Sequence, residues 1–279
     1  MRLAEEELDA REKALAAVAR EAGELARRLF ADPSNFSTKM KGPQDFITAA
    51  DSAVERSIVA RLSSEFPGDA FLGEEGGASG AGDAGGSGAL WVIDPIDGTA
   101  NFAHRMPHFC VSIALVAGGE LVLGAIAAPM YGELYLARLG RGASLNGRAM
   151  RVSAMGDIKQ SIIELGWSSR LPARDYTAML ERVLATGATF MRAGSGALGL
   201  AYVADGRTHG YCERHINSWD ALAGLLLVRE AGGWTNDFLA GDALAKGNVV
   251  IACTPGLRQA LVAATGVGEP NQQLERRMS

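Results

Sequence analysis

The residues best equipped for chemistry lie at 91–102, WVIDPIDGTANF, where Asp94 and Asp97 close an apolar run and Gly98 and Thr99 follow at once. Trp91, Val92 and Ile93 read as a short buried strand. Pro95 lacks the N–H a ladder needs, so it is expected to end that strand where the first carboxylate stands. Two acids so close at a strand end repel each other unless something positive sits between them. A divalent cation answers that need, because Mg²⁺ takes oxygen ligands and binds through one or two carboxylates plus substrate phosphate. Taken alone, DP and DG are also ordinary turn dipeptides. Two more segments tip the balance. FLGEEGG at 71–77 puts Glu74 and Glu75 after a short apolar stretch at another strand end. NSWD at 217–220 opens an Ala/Leu-rich helix, in whose first turn Asp220 suits the helix dipole.

GEEGG at 73–77, WVIDPIDGTANF, WDALAG at 219–224 and EAGG at 230–233 resemble, in order and spacing, the inositol monophosphatase family of Mg²⁺-dependent phosphatases. The likeness spans about 41–253, and DPIDGT is its most specific part. It implies a layered α/β/α/β/α sandwich and two or three Mg²⁺ ions, with Mn²⁺ an acceptable substitute. One ion would be held by Glu74, Asp94 and the Ile96 carbonyl, a second by Asp94, Asp97 and Asp220, with Asp94 bridging. The same likeness has Glu74 and the Thr99 hydroxyl position a water, and the backbone at Gly98 and Thr99 take phosphate oxygens. Gly194, Ser195, Gly196 and Glu213 match its substrate contacts. Lys41, Asp45, Thr48 and Asp51, in KGPQDFITAAD, match its mobile lysine loop and the helix start behind the metals. By residue type alone, Thr48 and Asp51 also serve as caps of a helix over 52–66, and Lys41 as a solvated charge.

The chemistry needs such residues, since a phosphate monoester is an anion that repels hydroxide. Paired metals can generate the nucleophile from water and stabilise both the attacking and leaving oxygens. A carboxylate facing a vicinal diol favours a polyol, so Glu213 points toward myo-inositol 1-phosphate. Histidinol phosphate, other sugar phosphates and nucleotide phosphates fit the same metal core. The likeness also implies lithium sensitivity and a homodimer. Some similar bacterial proteins associate with transcription machinery, which leaves a regulatory binding protein as the reading from another class.

Length and composition suit one enzyme-sized unit: 279 residues, 48% hydrophobic, net charge −5. The absence of a basic block disfavours a nucleic-acid surface. Cys110, Cys212 and Cys253 sit apart in apolar runs, which suits buried thiols in a reducing cytoplasm. The first thirty residues read as an amphipathic helix rather than a signal peptide, and no apolar run reaches membrane-spanning length. A metal-bearing half is expected over 1–155, a half contributing Asp220 and substrate contacts over 156–265, and a disordered polar tail over 266–279. Residues 76–88 read as a flexible Gly/Ala/Ser linker. An antiparallel meander follows over 110–137, then a hairpin turning at Asn146-Gly147. Strands and helices alternate beyond it. Gly194-Ser195-Gly196-Ala197-Leu198-Gly199 also fits a dinucleotide fingerprint, with Glu213 about twenty residues on. It sits late in the chain without a preceding doubly wound series, which argues against that reading. His104 and His108 are expected at the rim or in structural roles, His215 at the substrate mouth, and Ser112 as a satisfied core hydroxyl.

Overall fold

The apolar runs between 110 and 138 are separated by glycine-containing links of two and four residues, and such short links leave antiparallel pairing as the available arrangement. A computed structural model describes residues 3–32, 38–42, 45–80 and 87–266, with the backbone alone for 38–42 and 45–48. The first half runs α1 (Glu5–Ala31), β1 (Thr38–Gly42), β2 (Asp45–Thr48), α2 (Ala49–Glu65), β3 (Ala70–Gly73), β4 (Gly77–Gly80), β5 (Ala89–Asp97) and α3 (Thr99–Ala103). The meander is β6 (Cys110–Ala117), β7 (Glu120–Ala128), β8 (Glu133–Arg138), β9 (Gly142–Leu145) and β10 (Arg148–Ala149). Then come β11 (Ile162–Leu165), α4 (Ala173–Ala185), β12 (Thr189–Met191), α5 (Gly196–Ala204), β13 (Gly210–Ile216) and α6 (Ser218–Glu230). The chain closes with β14 (Trp234–Thr235), α7 (Ala243–Lys246), β15 (Asn248–Cys253) and α8 (Arg258–Thr265).

An eight-stranded sheet has the order β10-β9-β8-β7-β6-β5-β3-β4, and a five-stranded sheet the order β12-β11-β13-β15-β14. Helices α1 and α2 cover one face of the large sheet, while α5 and α6 lie between the two sheets. Helices α4 and α8 cover the outer face of the small one. This is the expected α/β/α/β/α order. The position of α5 and α6 explains their composition: a helix between two sheets must be apolar on nearly every side, and both are. Helix α1, with one covered face, instead buries Ala14, Leu15, Val18, Ala19, Ala22 and Ala26 at helical spacing. Its Glu5, Asp9 and Glu12 meet buried Arg138 at 2.7, 2.5 and 2.6 Å. Arg11 holds Asp69, which also accepts the Trp91 indole N–H at 2.9 Å, so α1 is tied to the start of the acid-bearing strand.

Four expectations change. Pro95 does not end β5; the strand continues to Asp97 through a bulge, with Asp94 opposite Ser112 and Asp97 opposite Cys110. Bulges tolerate a proline because the extra residue has no ladder bond to lose. The linker expected over 76–88 contains β4, an exposed strand pairing with β3; residues 81–86 lie outside the description. Helix α2 begins at Ala49, three residues before the expected start, and the short strand β14 and helix α8 were not anticipated. Asn146 and Gly147 both take positive φ, as their hairpin turn requires. The three cysteines are free and buried. None of the described helices is long and apolar enough to cross a membrane. The tail from 267 onward lies outside the described residues.

Candidate active site

The bulge in β5 solves a parity problem. Residues three apart on a regular strand point to opposite faces. One extra residue between Asp94 and Asp97 returns both carboxylates to the same side. Asp94 Oδ1 accepts the Ile96 N–H at 3.0 Å, which fixes the bulge. Strands β3 and β5 are parallel with Gly73 beside Ile93, so Glu74 and Asp94 leave the sheet side by side, and Glu74 N donates to the Ile93 carbonyl at 3.2 Å. Asp220 arrives from the first turn of α6, where its Oδ2 also accepts the backbone and side-chain N–H groups of Asn217 at 3.2 Å each. Capping and clustering are thus both served by one residue. Ser112 Oγ donates to the Trp219 carbonyl at 2.9 Å and fastens that turn to the large sheet, as a satisfied core hydroxyl should.

One carboxylate oxygen from each of Asp94, Asp97 and Asp220 lies within 4.8 Å of the others. Burial pushes Asp94 well above the ordinary carboxylate range, and the charges of Glu74, Asp220 and Asp97 add to it. Asp97 is pushed up to about 7, mainly by burial and then by Asp220, although donors from Ser195, Ala197 and Gly196 pull the other way. Asp220 is raised by burial. Such a set of oxygen donors, converging without a bridging side-chain cation among the described residues, fits a hard divalent ion.

Ser195 Oγ donates to Asp97 Oδ2 at 2.5 Å, Ala197 N to the same oxygen at 2.8 Å, and Gly196 N to Oδ1 at 3.3 Å. The Gly194–Gly196 segment expected to touch substrate therefore also orients a carboxylate, while still lining the cleft. The glycine-rich signature belongs to this cradle. Asn101 locks the segment from behind, donating to the carbonyls of Ala193 at 2.9 Å and His108 at 2.7 Å. Gly98 has φ +95°, and a Cβ there would stand 3.0 Å from the His108 carbonyl, so glycine is needed at this turn. Thr99 Oγ1 lies 2.9 Å from the Ile96 carbonyl and 3.2 Å from Oδ1 of buried Asp51, which places Asp51 directly behind it. The side chains of Lys41, Asp45 and Thr48 lie outside the described residues.

Glu213 is buried, lines the cleft, and accepts the Tyr211 hydroxyl at 2.7 Å. Burial raises it to about 8. A Cβ on Gly166 would lie 2.1 Å from Glu213 Oε2, so that backbone comes close to the carboxylate. His215 lines the cleft and donates from Nε2 to the Lys246 carbonyl at 2.8 Å. His108 instead meets the Tyr131 hydroxyl at 3.1 Å, and neither it nor exposed His104 lines the cleft.

The residues matched by the inositol monophosphatase family model are 7–267. The chain belongs to the inositol monophosphatase family. An inositol-1-monophosphatase of Rhizobium meliloti is 41% identical over 222 residues, 77% of this chain and 81% of that protein. The Nus factor SuhB of Pseudomonas aeruginosa is also 41% identical, over 85% of this chain and 89% of its own. Among solved structures, the extragenic suppressor protein suhB of Bartonella henselae superposes with a TM-score of 0.85 at 36% identity, covering 92% and 98% of the two chains. The family is metal-dependent, in keeping with the acidic cluster.

Besides Asn101, three contributors were not read from the sequence. Glu55 on α2 accepts the N–H groups of Glu75 and Gly76 at 2.9 and 2.7 Å and so clamps the turn that presents Glu74. It lies one helical turn from Asp51, a spacing that puts both on one face and was a legible signal. Tyr211 sits two residues before Glu213 on the same strand face. Glu164, buried and raised by burial to about 7, accepts the Ala193 N–H at 2.9 Å.

Proposed function

We propose that this protein hydrolyses small phosphate monoesters with Mg²⁺, with myo-inositol 1-phosphate as the leading substrate. The observation that carries the reading is the convergence of Glu74, Asp94, Asp97 and Asp220 beside Thr99 in one open cleft. Glu74, Asp94 and the Ile96 carbonyl would hold one ion, and Asp94, Asp97 and Asp220 a second; Mn²⁺ suits the same oxygen donors. Bound there, the ions supply Lewis-acid activation of water and neutralise charge on the ester. The protein's own share is orientation. Ser195 and Ala197 fix Asp97, Asn217 fixes Asp220, and Glu55 fixes the Glu74 turn. The Thr99 hydroxyl, donating toward the Ile96 carbonyl or Asp51, keeps a lone pair for the hydrogen of the attacking water, with Glu74 as the second acceptor. Glu213, held by Tyr211, would accept from a hydroxyl of the departing polyol.

Histidinol phosphate and other sugar or nucleotide phosphates are the alternatives on the same machinery. A second reading comes from relatives named Nus factor: association with transcription machinery. The test is phosphate release from inositol 1-phosphate, histidinol phosphate, fructose 1,6-bisphosphate and adenosine 3′,5′-bisphosphate, with Mg²⁺ or chelator. Metal-dependent release from at least one ester supports the hydrolase reading, and the ranking assigns the substrate. Release from none, together with a cellular phenotype that survives Asp94→Asn, would favour the binding role.

A further inference from the structure

Asp220 differs from the other aspartates of the cluster in what carries it. Asp94 and Asp97 stand on β5, inside the large sheet, whereas Asp220 stands in the first turn of α6. The opening turn of a helix has N–H groups without intrahelical partners, and in the metal-free protein repulsion from the neighbouring carboxylates acts on that turn. Beyond Ser112 and the Asn217 cap, its fastening comes from α7 and the residues around it. Ser218, fully buried at the start of α6, donates from Oγ to the Leu244 carbonyl at 2.8 Å. His215 donates from Nε2 to the Lys246 carbonyl at 2.8 Å. Gly247 has φ +69°, and a Cβ there would stand 2.3 Å from the Ile216 carbonyl oxygen, so the two backbones lie flush. The ladder is interrupted at this place: β13 carries one residue more than β15 between the Glu213–Val250 and Ile216–Asn248 pairs, and a bulge leaves its extra residue unpaired. The α7 segment is itself anchored. Phe238 and Ala243 are buried, Leu239 and Leu244 pack on the core between the sheets, and Asn248 Nδ2 donates to the carbonyls of Phe238 and Ala240 at 2.9 and 3.3 Å.

We infer that residues 238–247 form a strap that holds Asp220 in place for the second ion, with Ser218, His215 and Gly247 as positioning residues. The inference rests on the metal centre of the phosphatase reading above and names what sets the affinity of one of its two ions. A carboxylate held in place before the ion arrives needs no reorganisation on binding. One that has relaxed away from its neighbours must be brought back against their repulsion, and that cost is subtracted from the affinity. Asp220 belongs to the second ion alone, so loosening the strap weakens that ion and spares the one held by Glu74, Asp94 and the Ile96 carbonyl. Neither Ser218 nor Gly247 lines the cleft, so the substrate meets the same wall in their variants.

The test is a calorimetric titration of the full chain with Mg²⁺, without substrate and well below the melting temperature, beside steady-state kinetics on inositol 1-phosphate. In Ser218→Ala the dissociation constant of one class of Mg²⁺ should rise about three- to tenfold, the worth of one hydrogen bond to a carbonyl, with the other class unchanged. Ser218→Cys, close in size and a weaker donor, should fall between wild type and Ser218→Ala, which separates a lost hydrogen bond from lost packing. Gly247→Ala forces the strap and β13 apart from the other side and should repeat the loss. At saturating Mg²⁺, kcat and KM of Ser218→Ala should stay within about twofold of wild type, because the residue does not touch substrate. Mg²⁺ constants unchanged in folded Ser218→Ala and Gly247→Ala overturn the strap. Equal weakening of both classes overturns it too, since a general loosening of the fold gives that pattern. A wild type that binds no Mg²⁺ overturns the metal centre and the strap together. Strap-dependent Mg²⁺ binding without release from any ester upholds the strap and overturns the phosphatase reading alone.

Discussion

Replacing Asp94 by Asn probes the repulsion at the centre of the cleft. The three clustered aspartate oxygens lie within 4.8 Å of one another, and at that distance an ionised pair costs roughly 3–4 kcal/mol at an effective dielectric constant of about 20. Proton uptake caps that cost, so deleting one charge at pH 8 is worth roughly 2–3 kcal/mol to the metal-free protein. The exchange is well tolerated locally. An Asn Oδ1 still accepts the Ile96 N–H, and its Nδ2 can donate to the neighbouring Asp220 carboxylate. The sign in pH follows from Asp94 itself, which burial and the charges of Glu74, Asp220 and Asp97 hold well above its ordinary 3.8. A raised carboxyl stabilises the fold below the lower value and loses that contribution as pH climbs through the upper one. The advantage of Asp94→Asn should therefore grow between pH 5 and pH 8.

For a chain of this length about 2 °C accompanies each kcal/mol, giving a melting point about 4–6 °C above wild type at pH 8 in chelator. Saturating Mg²⁺ should reverse the order. The wild type gains about 3 kcal/mol at a hundred times its dissociation constant, while the variant gains little. Thermal unfolding at pH 5.5 and 8, with and without Mg²⁺, reads all of this. A variant that melts at or below wild type in chelator at pH 8, or that gains as much from Mg²⁺, would refute the reasoning.

Glu55→Ala removes the acceptor of two part-buried N–H bonds, so it should cost about 1–3 kcal/mol in unfolding experiments and weaken Mg²⁺ binding at least tenfold by calorimetry, with Glu55→Gln intermediate. Tyr211→Phe removes the donor that holds Glu213, and steady-state kinetics on inositol 1-phosphate should show KM rising about three- to tenfold with a smaller change in kcat. Glu164 lies at about 7 in the fold against 4.5 ordinarily, so its contribution is present below about 4.5 and lost as pH rises through 7. Glu164→Gln should flatten the fall in metal-free stability between pH 5 and 7.5, by at most about 3 kcal/mol; an unchanged slope counts against that assignment.

The meander and the alternating second half were legible because short glycine turns and alternating apolar runs leave few alternatives, as at Asn146-Gly147. Glu74, Asp94, Asp97 and Asp220 were legible because each stands where an apolar element starts or stops. The bulge at Pro95 was not, since it is settled by pairing with β6 across the sheet, which local sequence does not report. Helix α2 starts early at Ala49 and Ala50, whose small apolar side chains carry no boundary signal. The roles of Glu55, Asn101 and Glu164 were hidden for a related reason. Their partners are backbone groups 20, 92 and 29 residues away, and a backbone N–H or carbonyl leaves no trace in residue type. The Gly194–Gly199 run shows the converse, a strong local pattern whose use is set by the distant carboxylate of Asp97.

The most direct test of the central claim, that the carboxylate cluster is a divalent-metal centre for phosphate-ester hydrolysis, is a Mg²⁺ titration of phosphate release from myo-inositol 1-phosphate. The account predicts no release in chelator, saturable activation by Mg²⁺, and loss of that activation in Asp94→Asn. Release that persists in chelator, or that survives Asp94→Asn at the wild-type rate, would contradict it.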